Sequence, residues 1–388
     1  MRILIVAPEP FYEDRGTPIA LRHVVETLID LEHQVDILTF PLGEDIDLPG
    51  LTTSRVGRWL PINHVPIGFS LIKVVLDLLL FPRIFHMLRK QSYDCIHAVE
   101  ESAFLAVPAA RLFKTPLLYD MQSSLPEQLK SHRVLGSRFV QPTLRCLERW
   151  LLRNVDHVAC SIGLESAVKL ASPKTPVIEW HYPHQDDSAE MPDARDIRLR
   201  LDIPQDAFVI LYTGNFEAYQ GVDMLAQAIP QVLAEIPKAI FFFVGVKAGE
   251  TGADLGLPED LMPAVRVVAR RPRVEMPSYL KSADVLVLPR GPIQNLPLKL
   301  LDYMAAGKPI VASDSPSHRR VLTAQSAILV ERTPKAFAAA ILRLHADPAF
   351  AKSIAAQART TVQERFGSTA FSREVGALYS ALGEPRKE

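Results

Sequence analysis

The sequence predicts an α/β protein made of two doubly wound domains, and three observations carry this prediction. Short β-prone runs alternate with helical patterns along residues 1–182, which is typical of a parallel sheet covered by helices on both faces. The same alternation starts again near residue 201. A polar segment over residues 183–200 separates the two series, and a chain of 388 residues is long enough for two or three domains.

The N-terminal domain is predicted to cover residues 1–182 and to begin with a strand and a helix. Residues 3–7 form a continuous apolar run, and apolar side chains recur at the spacing of one helix face along residues 17–31. The later strands are predicted by short apolar runs with helical patterns between most of them. These runs are residues 35–40, 95–98, 116–119, 157–160 and 177–180.

The C-terminal domain is predicted to cover residues 201–365, with only helical patterns after residue 334. Its strands are predicted at residues 208–212, 240–245, 265–268, 284–288, 309–312 and 327–330. The last helix, residues 366–388, is predicted to return to the N-terminal domain. Open parallel sheets bind ligands beyond the carboxyl ends of their strands, so we expect the functional site in a cleft between two Rossmann-like domains.

The composition excludes several classes of function. Lys and Arg number 43 against 44 Asp and Glu, so no bulk positive charge attracts nucleic acid. The three cysteines form no Cys-x-x-Cys pair, so neither a disulfide framework nor a zinc cluster is predicted, and a reducing cytoplasm fits best. Pro8 and Glu9 interrupt the first apolar run, which is therefore predicted to be a buried strand and not a signal peptide.

The most informative segment follows the predicted strand at residues 284–288. A short helix is expected there, capped by Asn295 or Leu296. Pro297 lies in its first turn, and Gly307 ends it. Because this helix begins at the carboxyl end of a parallel strand, its free backbone N–H groups and its dipole favour an anion such as phosphate.

Two charged side chains of this helix suggest a nucleotide as its ligand. Lys299 and Asp302 are three residues apart and share a helix face. An ammonium group for phosphate and a carboxylate for ribose hydroxyls would then both reach one nucleotide. The alternative is a surface ion pair on an ordinary helix.

Residues 296–313 resemble the donor-binding helix of GT-B glycosyltransferases, specifically the retaining enzymes of glycosyltransferase family 4. Their sequence is Leu-Pro-Leu-Lys-Leu-Leu-Asp-Tyr-Met-Ala-Ala-Gly-Lys-Pro-Ile-Val-Ala-Ser. Weaker likenesses follow along the chain in the family's order. They are residues 1–6, Gly16-Thr17-Pro18, residues 93–97, residues 212–223 and residues 282–289.

The resemblance implies a GT-B fold and a hexosyltransferase of polysaccharide or glycolipid biosynthesis. The C-terminal domain would hold a nucleoside-diphosphate sugar, and the N-terminal domain would meet a glycan or lipid-linked acceptor. Transfer would retain the anomeric configuration and need neither a bound metal nor another cofactor, because helix N-termini and Lys or Arg side chains stabilise the charge that develops on the departing diphosphate. Nucleic acid is not an expected partner.

The site residues implied by the resemblance and by the residues themselves fall into three groups. The candidate catalytic residues are Arg290, Lys299 and His97. The candidate donor-binding residues are Gly16, Thr17, Gly214, Asn215, Gln220, Gln294, Asn295, Leu296, Pro297, Leu298 and Asp302. The candidate acceptor residues are Asp14, Arg15, Glu100, Glu101 and Gln122.

The chain departs from the family pattern at positions that carry charge. The family's Glu-x7-Glu pair falls on Gln294 and Asp302, so an amide replaces the first carboxylate. A histidine that the family commonly has in its N-terminal domain falls on Gln122.

The donor-domain glycine loop also lacks two positive charges that the family usually has. The flanking Arg and Lys fall on Asn215 and Gln220. Arg290 and Lys299 are predicted to replace them.

Two other candidate sites have plain structural alternatives. Gly16 and Thr17 begin a helix, and they either touch the donor phosphate or form an ordinary loop-to-helix junction. Glu100 and Glu101 follow the predicted strand that carries His97. They either order an acceptor hydroxyl or form a solvated helix start.

Two motifs with metal-ligand character are interpreted as surface features. Asp45 and Asp47 match the Asp-x-Asp motif of metal-dependent glycosyltransferases, but they lie in a long connection without supporting ligands. His181 and His184 lie beside acidic residues at the predicted linker, where a metal site is not expected.

Residues 66–89 are unusually apolar. Lys73, Asp77 and Arg83 interrupt the run and Pro82 is expected to break its helix, so it is not predicted to span a bilayer. Basic residues beside large apolar ones would suit peripheral contact with the inner membrane face and a lipid-linked acceptor. The alternative is a core helix of a doubly wound domain.

A glycosyltransferase is the leading hypothesis, and two others are kept beside it. The amides at the charged positions motivate a sugar-nucleotide-binding protein without transferase activity. A nicotinamide-dependent dehydrogenase shares the layered fold but needs a Gly-x-Gly-x-x-Gly loop, which neither residues 7–10 nor residues 214–219 supply.

Overall fold

The computed structural model describes residues 1–13, 16–66, 70–129, 136–184, 194–247, 249–291 and 296–383. The chain divides into two compact units. Unit 1 comprises Met1–Tyr182 together with the chain from Ser368 onward, and unit 2 comprises Pro183–Gly367.

Unit 1 is a parallel sheet with helices between its strands. Its strands are β1 (Arg2–Ala7), β2 (Gln34–Thr39), β3 (Leu51–Arg55), β4 (Cys95–Val99), β5 (Leu117–Met121), β6 (His157–Ser161) and β7 (Val177–Trp180). The helices between them are α1 (Gly16–Asp30), α2 (Leu71–Lys90), α3 (Ser102–Phe113), α4 (Leu125–Gln128), α5 (Gln141–Leu152) and α6 (Glu165–Ala171). The strand order is β3-β2-β1-β4-β5-β6-β7, so the winding direction reverses between β1 and β4.

The burial of each strand explains whether the sequence predicted it. In β1 the side chains from Ile3 to Ala7 are fully buried, because helices cover both faces of the sheet. Strand β3 lies at the sheet edge and is only partly buried. Its sequence, Leu-Thr-Thr-Ser-Arg, is correspondingly polar and gave no apolar run to predict it.

The expectation that Pro82 breaks its helix was wrong. Helix α2 runs without interruption from Leu71 to Lys90 and contains Pro82. The ring of Pro82 is exposed, so the carbonyl that loses its backbone partner lies on the solvent side. Leu80 and Ile84 are buried before and after the proline, and their packing holds both halves of α2 on the core.

Unit 2 holds the second parallel sheet. Its strands are β8 (Phe208–Thr213), β9 (Ala239–Val246), β10 (Val265–Ala269), β11 (Val285–Leu288), β12 (Ile310–Ser313) and β13 (Ile328–Val330). Its helices are α7 (Ala194–Arg200), α8 (Val222–Glu235), α9 (Met276–Lys281), α10 (Lys299–Ala305), α11 (Pro316–Arg319), α12 (Pro334–Ala346) and α13 (Pro348–Arg365). The order β10-β9-β8-β11-β12-β13 places the reversal between β8 and β11.

Part of the predicted linker is an ordered piece of unit 2. Helix α7 lies inside residues 183–200. Arg198 donates hydrogen bonds to Ser282 O and Asp284 Oδ2, both at 2.9 Å, at the start of β11. Residues 185–193 of the predicted linker lie outside the described residues.

Helix α10 begins later than the sequence predicted. Its N-cap is Leu298 and its first residue is Lys299. The N–H groups of Leu300 and Leu301 bond to the carbonyls three residues back, at Pro297 and Leu298, so the chain enters α10 through a tight turn. With seven residues α10 carries little dipole, so the predicted anion site would depend mainly on side chains.

The last helix, α14 (Ser368–Gly383), belongs to unit 1. Its buried face includes Phe371 and Tyr379. The ring of Phe371 lies 5.5 Å from that of Trp180 in β7, an aromatic contact that fixes α14 on the sheet side of unit 1.

Candidate functional site

The loop after β8 and the start of α10 meet at the strand-order reversal of unit 2. Gly214 directly follows β8 with φ at +132°. A Cβ atom at this position would lie 2.8 Å from Lys299 Nζ and 2.8 Å from the hydroxyl of Tyr212. Position 214 therefore requires glycine, because the side chain of Lys299 occupies the space beside it.

Lys299 is held against the end of β8. Its Nζ donates to Thr213 O at 2.7 Å and to Gln220 Oε1 at 3.0 Å, and it lies 4.5 Å from the centre of the Tyr212 ring. Burial, followed by the positive charge of Arg290, lowers the pKa of the Lys299 ammonium to about 7. An anion at this position would therefore be bound by a cation that has lost much of its hydration.

Arg290 supplies the second cation. It follows β11, is 8% exposed, and its guanidinium carbon lies 5.7 Å from the centre of the Tyr219 ring. Burial lowers the pKa of Arg290 below its ordinary value. Its carbonyl accepts a hydrogen bond from Ser313 Oγ at the end of β12. The structure thus brings Arg290 and Lys299, both predicted from the sequence, into one electrostatic neighbourhood.

His318 is a member of this neighbourhood that the sequence did not indicate. The side chain is fully buried on α11, and its Nδ1 lies 2.7 Å from Ser313 O. Burial lowers the pKa of His318, and the charges of Arg290 and Lys299 lower it further. The Nε2 atom has no hydrogen-bond partner among the described residues. A lone histidine in Ser-Pro-Ser-His carries no motif, so only the fold reveals its position.

The two amides that replace the expected cations have structural contacts. Gln220 is buried and accepts from Lys299. The Oδ1 atom of Asn215 accepts from the N–H of Glu217 at 3.3 Å, and its carbonyl accepts from Tyr212 at 2.9 Å. These amides shape the loop around Gly214 and leave the positive charge to other elements.

The entry to α10 contains the remaining donor-side candidates. Leu296 is buried, while Pro297 and Leu298 are partly buried. Gln294 and Asn295 lie outside the described residues.

Asp302 contacts a different element from Lys299. Its Oδ1 lies 3.8 Å from a guanidinium nitrogen of Arg273, and its side chain lines a small cavity beside α9. Lys299 and Asp302 were expected to reach one ligand from a shared helix face, but in the structure their side chains contact different elements. Ribose binding by Asp302 stays a prediction.

In unit 1, His97 lies inside the core. The ring bridges Asp120 Oδ2, at 3.1 Å from Nε2, and the hydroxyl of Tyr379, at 2.5 Å from Nδ1. The side chains of His97 and Asp120 are both fully buried. This is the placement of a structural group that ties β4 and β5 to α14, and we assign no substrate contact to it.

Gln122 belongs to the same buried polar network. Its amide nitrogen donates to Asp120 Oδ1 at 2.5 Å and to the hydroxyl of Tyr182 at 2.6 Å. Its Oε1 accepts from Ser161 at 3.0 Å. An acceptor role for Gln122 stays a prediction, since its described polar contacts are internal.

Glu100 and Glu101 lie where the strand order of unit 1 reverses. Glu100 adopts φ of +49°, unusual for a residue with a side chain, and accepts from Ser123 Oγ at 2.9 Å. Burial, followed by the charge of Glu101, raises the pKa of the Glu100 carboxyl well above its ordinary value. Glu101 pairs with Lys73 at 2.9 Å. The pair is thus not simply a solvated helix start.

The other N-terminal candidates lie at the beginning of α1. Gly16 is its first residue, with φ of +29°, and an added Cβ would meet nothing within 4 Å. The backbone there is open to a ligand, and Thr17 follows it. Asp14 and Arg15 lie outside the described residues.

The motifs with metal-ligand character have other partners. Asp45 is exposed and pairs with Arg55 at 2.8 Å and with Arg58 at 3.5 Å. His181 Nδ1 lies 2.9 Å from Glu374 Oε1. Within the described ranges, no group of three His, Cys, Asp or Glu residues could hold a metal ion. No helix in the same ranges is long and apolar enough to cross a membrane.

Comparison with known sequences agrees with the two units. Residues 207–347 match the family model described as glycosyl transferases group 1, and residues 15–162 match the glycosyl transferase 4-like domain. A phosphatidyl-myo-inositol mannosyltransferase of Mycolicibacterium smegmatis is 23% identical over 83% of this chain and 78% of that protein. A D-inositol 3-phosphate glycosyltransferase of Streptosporangium roseum is 28% identical over 47% of this chain, and the match spans only 44% of that relative's length.

Solved structures show the same fold. Sucrose-phosphate synthase from Thermosynechococcus elongatus has a TM-score of 0.79 at 23% identity, over 98% of both chains. Anabaena HepE, solved with UDP-glucose, has a TM-score of 0.72 at 17% identity, over 98% of this chain and 100% of that one. With two doubly wound units and both family models matched in order, the chain belongs to the family 4-like glycosyltransferases of the GT-B fold.

Proposed function

We propose that the protein transfers a hexose-type sugar from a nucleoside-diphosphate sugar to an acceptor hydroxyl. The observation that carries this proposal is the position of Lys299 beside Gly214, within electrostatic range of Arg290. Two cations from other elements thereby replace the charges that the glycine loop lacks at Asn215 and Gln220.

These two side chains would act on the leaving group. Cleavage of the bond between the sugar and the diphosphate leaves an additional negative charge on the diphosphate oxygens. Partly dehydrated cations fixed before the reaction stabilise that charge more strongly than solvent does. Transfer with retention and without a metal ion is proposed from the family resemblance, and full rates in the presence of a chelator would support the second point.

The acceptor is proposed to meet unit 1. Glu100, whose carboxyl pKa is raised by burial, lies at the strand-order reversal and is the candidate to orient an acceptor hydroxyl. Gly16, the first residue of α1, is a second candidate contact, because nothing lies within 4 Å of the position its Cβ would take. The mannosyltransferase and inositol 3-phosphate glycosyltransferase relatives support a lipid-linked or polyol acceptor. We propose a cytoplasmic location, with peripheral contact at the inner face of the membrane as a further part of this proposal.

A thermal-shift screen against UDP-, GDP- and ADP-sugars, followed by product analysis with the best donor, tests the proposal. The proposal expects a donor that raises the melting temperature, and release of nucleoside diphosphate once an acceptor extract is added. Lys299→Met is expected to lose both effects, while the matched variant of an exposed lysine, Lys352→Met, keeps them.

A binding protein without transferase activity is the second candidate, because amides occupy Asn215 and Gln220. It predicts a melting-temperature shift with nucleotides but no nucleoside diphosphate released with any donor and acceptor extract. That result would replace the transferase proposal.

A further inference from the structure

Large apolar side chains are exposed mainly on one group of helices in unit 1. Leu71 at the start of α2 is 78% exposed and Leu78 is 65% exposed. The full set on or directly before α2, α3 and α5 is Leu71, Ile72, Val74, Val75, Leu78, Phe81, Leu112, Phe139, Leu147 and Trp150. In unit 2 the described exposed set is Leu199, Tyr219 and Val274. Packing of unit 1 alone therefore leaves an apolar surface unexplained.

The three helices form a continuous layer. The ring of Phe85 in α2 lies 6.2 Å from that of Phe113 in α3. Phe104 in α3 stacks on Trp150 in α5, with ring centres 6.3 Å apart and planes within 7°. We call this layer, α2 with α3 and α5, the three-helix face.

The charges of the three-helix face are almost all positive, although the whole chain has a formal net charge of -1. Its exposed charged side chains are Arg83, Arg89, Lys90, Arg111, Arg145 and Arg149. Its two acidic residues, Asp77 and Glu148, are not exposed. Burial raises the pKa of Asp77 to about 7 and that of Glu148 above its ordinary value, which further reduces the negative charge.

A groove of about 630 Å³ opens beside this face, between the loop after β3 and α2. Its lining residues are Arg55, Val56, Gly57, Arg58, Trp59, Leu79, Pro82, Arg83 and His86. The guanidinium of Arg55 is used internally by Asp45 and by Leu42 O. Arg58, Arg83 and His86 are exposed, and Trp59 is 76% exposed at the rim. Arg58 also lies 3.5 Å from the exposed Asp45, so Arg83 is the cation of the groove with fewer internal contacts.

We propose that the three-helix face docks on an anionic lipid bilayer and that the groove beside α2 receives a phosphate-bearing lipid headgroup. Leu71 and Leu78 would enter the acyl boundary, with Trp59 at headgroup depth. The proposal extends the proposed function by naming the surface and the lipid charge, but it depends on unit 1 alone.

The composition of the face favours a bilayer over another protein. Protein interfaces are enriched in aromatic residues and arginine and are depleted of charge at their cores, whereas seven of the ten exposed apolar side chains of this face are aliphatic. Here arginines and lysines are interspersed with aliphatic side chains along the same helices, so charged heads and apolar stems can lie at different depths of one interface. A polybasic surface also gains directly from the negative potential of anionic lipids.

Flotation of the full chain with vesicles tests the proposal. Vesicles of phosphatidylcholine alone are compared with vesicles that contain an equal part of phosphatidylglycerol, at low and high salt. Binding to the anionic vesicles only, weakened by salt, is expected. No binding, or equal binding to both vesicle types, would overturn the proposal.

Two pairs of variants separate the contributions. Leu71→Gln with Leu78→Gln removes the apolar contact, and its matched control is the exposed Leu199→Gln in unit 2. Arg58→Gln with Arg83→Gln removes the two exposed arginines of the groove, and its matched control is the exposed Lys335→Gln. Each pair is expected to reduce partitioning about tenfold, and each control to leave it unchanged. Unchanged partitioning in both pairs would reject the face and the groove.

Three further measurements exclude other occupants and loss of folding. Free glycerol 3-phosphate is expected not to compete with vesicles, since a headgroup alone lacks the apolar contact; full competition would contradict the lipid assignment. Concentration-dependent dimerisation that the Leu71→Gln, Leu78→Gln variant abolishes would assign the face to a second copy instead. A circular-dichroism spectrum and a cooperative thermal unfolding transition like those of the wild type show that each variant is folded, and donor turnover is measured separately from vesicle binding.

Discussion

The Nζ atom of Lys299 lies 2.8 Å from the point where any residue other than glycine at position 214 would place its Cβ. This relationship joins the loop after β8 to the first residue of α10. This contact explains why the loop contains a glycine, and it shows how the ammonium group of Lys299 reaches the loop from another element.

Gly214→Ala is expected to weaken nucleotide binding and to destabilise unit 2. The new methyl group would displace the Lys299 side chain, and φ of +132° is unfavourable for alanine. Gly249→Ala is the control, because Gly249 also has a positive φ, at +92°, but its added Cβ meets nothing within 4 Å. Equal losses of nucleotide affinity in both variants, measured by calorimetry, would show that backbone strain alone is responsible.

Nucleotide binding is expected to depend on pH through Lys299. Its pKa of about 7 in the free protein means that the ammonium form declines above neutral pH. A bound diphosphate favours the charged form and raises this pKa, so binding takes up a proton and the affinity falls by about tenfold per pH unit above pH 7. Calorimetry in buffers of different ionisation enthalpy measures this proton uptake.

Two variants provide the comparison for the pH dependence. Lys299→Met is expected to bind weakly with little pH dependence, whereas Lys299→Arg stays charged over the whole range. If the Met variant retained the wild-type pH profile, a group other than Lys299 would be the titrating one. His318 is not that group, because burial and the two nearby cations lower its pKa and its titration lies below this pH range.

Asp302 is expected to recognise ribose, and its contact with Arg273 supplies the control. If the carboxylate accepts from a ribose hydroxyl, the wild type should prefer a ribonucleoside diphosphate over its dideoxy analogue by about tenfold, and Asp302→Ala should lose that preference. Arg273→Met removes the ion pair at 3.8 Å but leaves the carboxylate. A loss of preference in Arg273→Met as large as in Asp302→Ala would assign Asp302 to fold stability instead.

His97→Leu is expected to reduce the free energy of unfolding by about 3 kcal/mol, because it removes one partner from the buried carboxylate of Asp120. Urea denaturation measures this loss, and the exposed His64→Leu is the matched control. The turnover rate per folded molecule should stay near that of the wild type. A rate that falls by orders of magnitude at unchanged stability would instead make His97 a catalytic residue.

The sequence predicted the strands of both sheets well where helices bury both faces. Strands such as β1 and β11 are short continuous apolar runs. A strand that is covered by helices on both faces needs such a run, so the sequence shows it. Strand β3 was missed because an edge strand needs no such run. The prediction of a helix break at Pro82 was wrong, because a helix interior tolerates proline when the residues on either side of it pack strongly on the core.

The candidate site was predictable in its residue types but not in its contacts. Lys299 and Arg290 were identified from a motif and from missing charges nearby, and the structure brings them together. Spacing alone could not show that Asp302 turns toward Arg273, because residues three apart on a short helix still face different neighbours. His318 could not be predicted from the sequence, because the role of a buried histidine depends on the residues that the fold places around it.

The most direct test of the central claim is the affinity of wild type and Lys299→Met for a nucleoside diphosphate and for the matching nucleoside monophosphate. Lys299 and Arg290 are proposed to hold the diphosphate, so the wild type should prefer it, and the variant should lose about 10- to 100-fold of that preference while its monophosphate affinity changes little. Equal preference for the diphosphate in both proteins would contradict the assignment of Lys299 to the donor site.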